Sequence, residues 1–214
     1  MTALHAQPTH PVAPWAEVVP QRPPMTADEL HALPEDEWTY ELVDRVLVRM
    51  PLSSFGASNV GMRLAIRLGA YVEDNGLGAV TGEQGGYRLD PDHPLDTELA
   101  PDLAFVRADR LPASSSPEYY KRAPPGTPWV SPDLAVEVAS DNTPRGYPAP
   151  GMATKAKIYL TFGTRLVWVI WPRYRRVDVW HPGDAVPVPL GIGDTLDGED
   201  VVPGFTFPVA RLFP

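Results

Sequence analysis

Hydrophobic positions along the chain follow two periods, and the switches between them mark out the elements. From Ser58 to Asp74 the apolar residues Val60, Met62, Leu64, Ala65, Leu68, Tyr71 and Val72 recur at mostly helical spacing, and Gly76 and Gly78 supply the stop, so a helix is predicted there. Met152–Phe162 carries good helix formers and ends at Gly163, which predicts a second. Thr26 with Glu29 three residues later is a capping box, in which hydroxyl and carboxylate each satisfy a free backbone donor, and a short helix over Ala27–Leu33 follows from it. Between Tyr40 and Met50 the polar pair Asp44-Arg45 interrupts an apolar run, implying two short strands about a tight turn. Further strands are predicted at Ala79–Gly82, Gly86–Leu89, Pro101–Arg107, Asp133–Ser140, Arg165–Trp171 and Arg176–Trp180. Pro101–Arg107 and Asp133–Ser140 are nearly continuous in apolar residues apart from single acids, which places both in mid-sheet. The turn-rich tail Gly193–Pro214 is expected to close the sheet with short strands. This order predicts an α/β (α+β) chain, a mixed central sheet flanked by helices that falls short of a doubly wound pattern.

Composition narrows the picture. The 214 residues, 43% hydrophobic and 21% charged, suit a single core, here assigned to 25–214. Residues 1–24 mix proline, alanine and histidine without a period, and a flexible segment is expected there. Cysteine is absent, which excludes disulfides and thiolate-bound metal centres. No apolar run reaches membrane-spanning length and the first residues lack the pattern of a signal peptide, so a cytoplasmic location is expected. A net charge of -9 argues against phosphate binding over the whole surface, so any contact with nucleic acid must be local. The 27 prolines, clustered at Pro8–Pro24, Pro112–Pro132, Pro144–Pro150 and Pro182–Pro189, read as long loops.

Acids inside otherwise apolar strands are the informative feature, because a buried carboxylate costs several kcal/mol unless a cation or hydrogen bonds compensate. Asp102 opens Pro-Asp-Leu-Ala-Phe-Val. Glu137 lies within Asp-Leu-Ala-Val-Glu-Val-Ala-Ser, where period-two alternation puts Asp133, Ala135, Glu137 and Ala139 on one face. Two such carboxylates, with a backbone carbonyl such as that of Val138, offer the oxygen ligands that Mg²⁺ or Mn²⁺ prefers. Glu41 is a third acid in an apolar strand. A site for phosphodiester hydrolysis also gains from a lysine that positions the attacking water. Lys155 and Lys157 are available on one predicted helix but point roughly 200° apart, and Lys155 shares its face with Tyr159. Blander readings stand beside these: a capping role for Asp102, an ion pair from Glu137 to Arg165 or Arg63, a half-exposed hairpin acid at Glu41, and solvated lysines. The five histidines, His5, His10, His31, His93 and His181, show no ligand spacing and read as bystanders. Trp168, Trp171, Trp180 and Tyr174 with Arg173, Arg175 and Arg176 read either as core and charged turn or as a base-stacking, phosphate-binding strip. The acidic stretch Asp90–Glu98 reads as a loop.

Taken in order, Met-Thr-Ala-Asp-Glu-Leu from Met25, Tyr-Glu-Leu-Val-Asp from Tyr40, Pro-Asp-Leu-Ala-Phe-Val from Pro101, Pro-Asp-Leu-Ala-Val-Glu-Val-Ala-Ser from Pro132, Lys155 with Tyr159, and the late Gly-Asp-Thr-Leu-Asp-Gly and Val-Pro-Gly-Phe resemble the Uma2-type restriction endonucleases. The fold of that family belongs to the PD-(D/E)XK nuclease group. The resemblance implies a Mg²⁺- or Mn²⁺-dependent endonuclease acting on DNA, with Asp102, Glu137 and the Val138 carbonyl at the metal, Glu41 assisting, and Lys155 supplying positive charge. Ala139 stands where the PD-(D/E)XK pattern has its lysine, so the lysine must come from the helix, and the segment from Ser140 to Lys155 is richer in proline than the family pattern. A homodimer is expected, since a two-fold protein suits a two-fold duplex. The competing reading is a catalytically silent module for assembly or nucleic-acid binding.

Overall fold

The structure, a computed structural model, describes residues 17–18, 24–33, 38–50, 53–82, 85–89, 96–113, 131–140 and 150–214. The proline-rich start, apart from 17–18 and Pro24, lies outside these residues, as do 90–95 of the acidic stretch and 141–149 of the proline-rich insertion. In chain order the elements are β1 (Glu17–Val18), α1 (Ala27–His31), β2 (Thr39–Val43), β3 (Val46–Met50), α2 (Phe55–Asp74), β4 (Gly78–Gly82), β5 (Tyr87–Arg88), β6 (Glu98–Leu99), β7 (Leu103–Arg107), β8 (Leu134–Val138), α3 (Pro150–Thr161), β9 (Leu166–Trp171), β10 (Arg176–Trp180), β11 (Val188–Leu190), β12 (Thr195–Asp197) and β13 (Thr206–Pro208). Short 3₁₀ turns occupy Ala108–Arg110, Pro172–Tyr174 and Val209–Leu212.

The strands divide between two main sheets. One runs β1-β3-β2-β6-β5, antiparallel throughout. The other runs β11-β10-β9-β8-β7-β4 and is mixed, because β8 and β9 are parallel while its other neighbours are antiparallel. A parallel pair needs a crossover, and α3 provides it. The expected mid-sheet places of β7 and β8 hold. The tail differs from expectation: its strands β12 and β13 form a hairpin of their own, and β11, which precedes the tail, takes the edge of the mixed sheet.

Alternation along β8 sorts the core. Leu134, Val136 and Val138 pack with Leu64, Leu68, Trp168 and Leu212 on the side covered by α2 and the C-terminal segment. Ala135 and Ala139 face the other way, into a cluster with Val43, Val48, Ala156, Val167 and Tyr159. Glu137 lies between these two alanines in period, so the side chains next to it on its own face are small and admit groups from α3. A third cluster, Met25, Leu42 and Leu47, is covered by α1, whose capping box forms as the sequence predicts.

The β2–β3 turn is a two-residue hairpin in which Asp44 and Arg45 both have positive φ, 50° and 65°. Such turns match the strand twist and favour glycine at the second position. Arg45 is held there by its neighbours: its N–H donates to the Asp96 carbonyl (2.8 Å) and its carbonyl accepts from Met25 N–H (2.9 Å). Removing the Cβ relieves the left-handed strain while freeing the unfolded chain. Arg45→Gly is therefore expected to raise stability by up to about 1 kcal/mol in a urea melt; a drop would show that the arginine side chain carries more packing than the backbone strain costs.

Candidate active site

Lys155 joins the two sheets. Its Nζ lies 2.7 Å from Oε1 of Glu41 on β2, in the antiparallel sheet, and 2.9 Å from Oε1 of Glu137 on β8, in the mixed sheet. Both carboxylates are buried, and the lysine side chain is only 11% exposed. Helix phase explains the choice of lysine: Tyr159, one turn on, points the same way and donates its hydroxyl to the same Glu137 Oε1 at 3.0 Å. Lys157, on another face of α3, instead has its ammonium 5.5 Å from the centre of the Trp180 ring. Glu41 Oε1 also accepts from the Ala100 N–H at 3.0 Å, which fixes β2 against the chain that leads into Asp102.

Asp102 stands just before β7 and is half-buried. Its Oδ2 accepts from the Val138 N–H at 2.6 Å, so the capping role and the proximity to Glu137 are properties of one geometry. The structure thus brings Glu41, Asp102, Glu137, Val138 and Lys155 together from four segments of the chain. The alternative ion pairs for Glu137 are taken elsewhere: Arg165 pairs with Asp200, and Arg63 donates to Asn59.

The charges do not balance. Burial pushes the Glu137 carboxyl up to about 8; Lys155 pulls it down, while Asp102 and Glu41 push it further up. For Lys155, burial works against the charge, but Glu137 and Glu41 outweigh it and hold the ammonium well above its ordinary value. Burial, with Glu137 beside it, likewise raises the Tyr159 hydroxyl far above the usual range. The cluster therefore holds a firmly protonated lysine and three carboxyl groups around it. Among the described residues no group of three or more His, Asp or Glu forms a ready-made metal cage.

Tyr159 is a site residue outside the set predicted as catalytic; its place one turn beyond Lys155 was the signal for it. Two histidines read as bystanders have partners. His31 Nε2 lies 2.8 Å from Glu98 Oε1, and His181 is placed between Asp184 (3.2 Å) and Glu199 (2.9 Å). Glu98 belongs to the acidic stretch read as a loop, yet it forms β6 and is buried; burial and nearby Asp96 push its carboxyl up to about 7 against the pull of Arg88. Trp168, Trp171 and Trp180 are buried, so of the proposed stacking strip only Tyr174, 43% exposed, offers a ring to solvent.

Fold and site together define a mixed-sheet nuclease fold. A crystal structure described as a putative nuclease belonging to DUF820 from Anabaena variabilis ATCC 29413 superposes with a TM-score of 0.70 and 18% identity, over 88% of this chain and 97% of that one. The model of the Uma2 family, described as putative restriction endonuclease, matches residues 27–210, and the chain belongs to that family. No match is found among curated proteins. Among the described residues no helix is long and apolar enough to cross a membrane.

The raised Glu137 carboxyl has a consequence for stability. Folded, it binds its proton up to about pH 8, against an ordinary value of 4.5, so its contribution is whole below 4.5, falls as the pH rises, and is gone above about 8. Glu98 repeats this with an upper limit of about 7. In EDTA the protein is expected to lose stability on the order of a few kcal/mol between about pH 5 and about pH 8.5, and Glu137→Gln to lose less over the same range. Urea melts at the two pH values check this; identical pH dependence in both proteins would contradict it.

Proposed function

We propose that this chain is a metal-dependent endonuclease that hydrolyses phosphodiester bonds in DNA. One observation carries the reading: in a chain of an endonuclease family, an ammonium is held between two buried carboxylates, and a third acid, Asp102, is bonded to Val138 next to one of them. The donor set fits a hard divalent cation such as Mg²⁺ or Mn²⁺, since Asp102, Glu137 and the Val138 carbonyl offer only oxygen. Burial, and then Asp102 and Glu41, push the Glu137 carboxyl up to about 8 against the pull of Lys155, and a dication beside it would favour its ionised form. When bound, such an ion supplies Lewis acidity toward a phosphoryl oxygen and a more acidic water.

The chain's own residues divide the remaining work. Lys155 stays protonated, so it does not take the proton of the attacking water. Of its three N–H donors two serve Glu41 and Glu137, and the third orients water or a non-bridging phosphate oxygen, where it opposes the negative charge that grows as the bond to phosphorus forms. Glu41 fixes that ammonium from the opposite sheet. Tyr159 and Lys155 both hold Oε1 of Glu137. A two-fold dimer of such chains would present two sites to the two strands of a duplex.

The reading of a silent module draws on a specific observation of its own, that a lysine bound by two carboxylates also serves as a purely structural clamp. Nicking of supercoiled plasmid with Mn²⁺ separates the two. Glu137→Ala and Lys155→Ala are each expected to lose roughly 10²–10³-fold in rate, Lys157→Ala to stay near the parent, and Tyr159→Phe to fall between. Undiminished cleavage by Glu137→Ala and Lys155→Ala would assign the activity to something else, and no cleavage by the parent under any divalent ion would leave the clamp.

A further inference from the structure

Ten of the arginines among the described residues divide into two groups. Arg88, Arg107, Arg110, Arg165 and Arg176 each pair with an aspartate. Arg63, Arg67, Arg173 and Arg211 form no ion pair among the described residues, and all four are exposed, as is Arg175. These five come from three segments, 55–72, 172–175 and 205–214, that contain no aspartate or glutamate.

The fold brings the three segments together. Asn59, Arg63, Arg67 and Tyr71 follow one another at intervals of four along α2, so they form one row on its surface. That row faces the C-terminal segment, for the Tyr71 hydroxyl donates to the Pro203 carbonyl at 2.9 Å and its ring meets Phe205 edge-on at 5.5 Å. The turn Val209–Leu212, carrying Arg211, packs against α2, and so does the turn Pro172–Tyr174. Arg175 closes the set: its guanidinium sits 5.6 Å from the centre of the Phe213 ring and donates to the Pro214 carbonyl. Several of these cations are positioned in advance by uncharged groups, Arg63 by Asn59 Oδ1 (3.2 Å) and Arg211 over the Phe207 ring (5.5 Å).

The α2 part of the face lies on the other side of the mixed sheet from the Glu137 carboxyl. A Cβ on Gly61, two residues before Arg63, would stand 3.6 Å from the Val138 side chain, so α2 covers the face of β8 opposite to the one that bears Glu137. Glu137 and Val169 are neighbours in the parallel β8–β9 pair, and β9 ends two residues later, so the Arg173–Arg175 turn lies at the same end of the two strands as Glu137.

We propose that this face, Arg63, Arg67, Arg173, Arg175 and Arg211 with the exposed ring of Tyr174, binds the phosphate backbone of a nucleic acid. The proposal rests on the nuclease reading and supplies the local basic surface that a chain of charge -9 needs. Planar guanidinium forks without competing carboxylates match phosphate oxygens in pairs, and Tyr174 offers a base a stacking partner.

The test is anisotropy of a fluorescent mixed-sequence duplex with the full chain in EDTA, over a series of salt concentrations. The triple variant Arg67→Ala/Arg173→Ala/Arg211→Ala is expected to flatten the slope of log affinity against log salt by about 0.9 per arginine, weakening binding roughly ten-fold for each at about 0.1 M salt. The corresponding triple lysine variant should keep the slope, and Arg107→Ala, at the other end of β7 and paired with Asp109, should match the parent. An unchanged slope in the triple alanine variant with an unchanged melting temperature overturns the proposal. So does a parent that shows no salt-dependent binding, which would leave an acidic protein as the partner for this face. Cleavage is assayed separately with Mn²⁺: arginine-dependent binding without cleavage retires the nuclease reading and keeps this one, and cleavage without arginine-dependent binding does the reverse.

Discussion

A single ammonium group holds together what the rest of this fold arranges. Lys155 reaches across from α3 to a carboxylate in each of two sheets, 2.7 Å and 2.9 Å away, and all three groups lie mostly out of water. Removing ions from water costs several kcal/mol each, and one lysine repays this only when both of its partners are close and further hydrogen bonds support them. The Ala100 N–H and the Tyr159 hydroxyl each add a bond to the carboxylate oxygen that Lys155 holds. The small residues Ala135 and Ala139 leave space on Glu137's face, and the parallel β8–β9 pair compels a crossover that carries the lysine over it. The third acid, Asp102, is anchored to the strand end by its bond to Val138 and adds to the burial that pushes the Glu137 carboxyl up.

Much of this was legible in the sequence because burial and period act locally. The acids inside apolar strands stood out against their neighbours, and the phase of α3 separated Lys155 from Lys157, since a helix fixes which side chains share a face. The strand limits of β9 and β10 came within a residue of expectation. The partition of strands into two sheets was not legible, because β5 and β6 are two residues each and carry no pattern of their own. Nor was the burial of Glu98 and its contact with His31: those groups lie 67 positions apart, and only the packing of α1 on β2 brings them together. Resemblance to the Uma2 family provided the order of motifs; the geometry provided Tyr159, which sequence reasoning noticed only as a face mate.

Charge organises the molecule at two scales. Overall the chain is acidic, and five of its arginines are neutralised by aspartates that also brace loops and strand ends, as Asp133 does by accepting from the Arg107 N–H while pairing with Arg110. Around the C-terminal segment the pattern reverses, with arginines propped by aromatic rings and amide oxygens. Ion pairing and cation–π contact cost the guanidinium groups different amounts of freedom to meet an anion, and the segregation of the two kinds by surface gives an acidic protein a localised place for phosphate.

The central claim, that the acids around Lys155 gather to hold a dication, is tested most directly by anomalous diffraction from crystals soaked in Mn²⁺. The account predicts an anomalous peak with octahedral oxygen ligands from Asp102, Glu137 and the Val138 carbonyl, at distances of about 2.0–2.3 Å. Crystals saturated with Mn²⁺ that show no peak there, with Lys155 still clamped between Glu41 and Glu137, would contradict it.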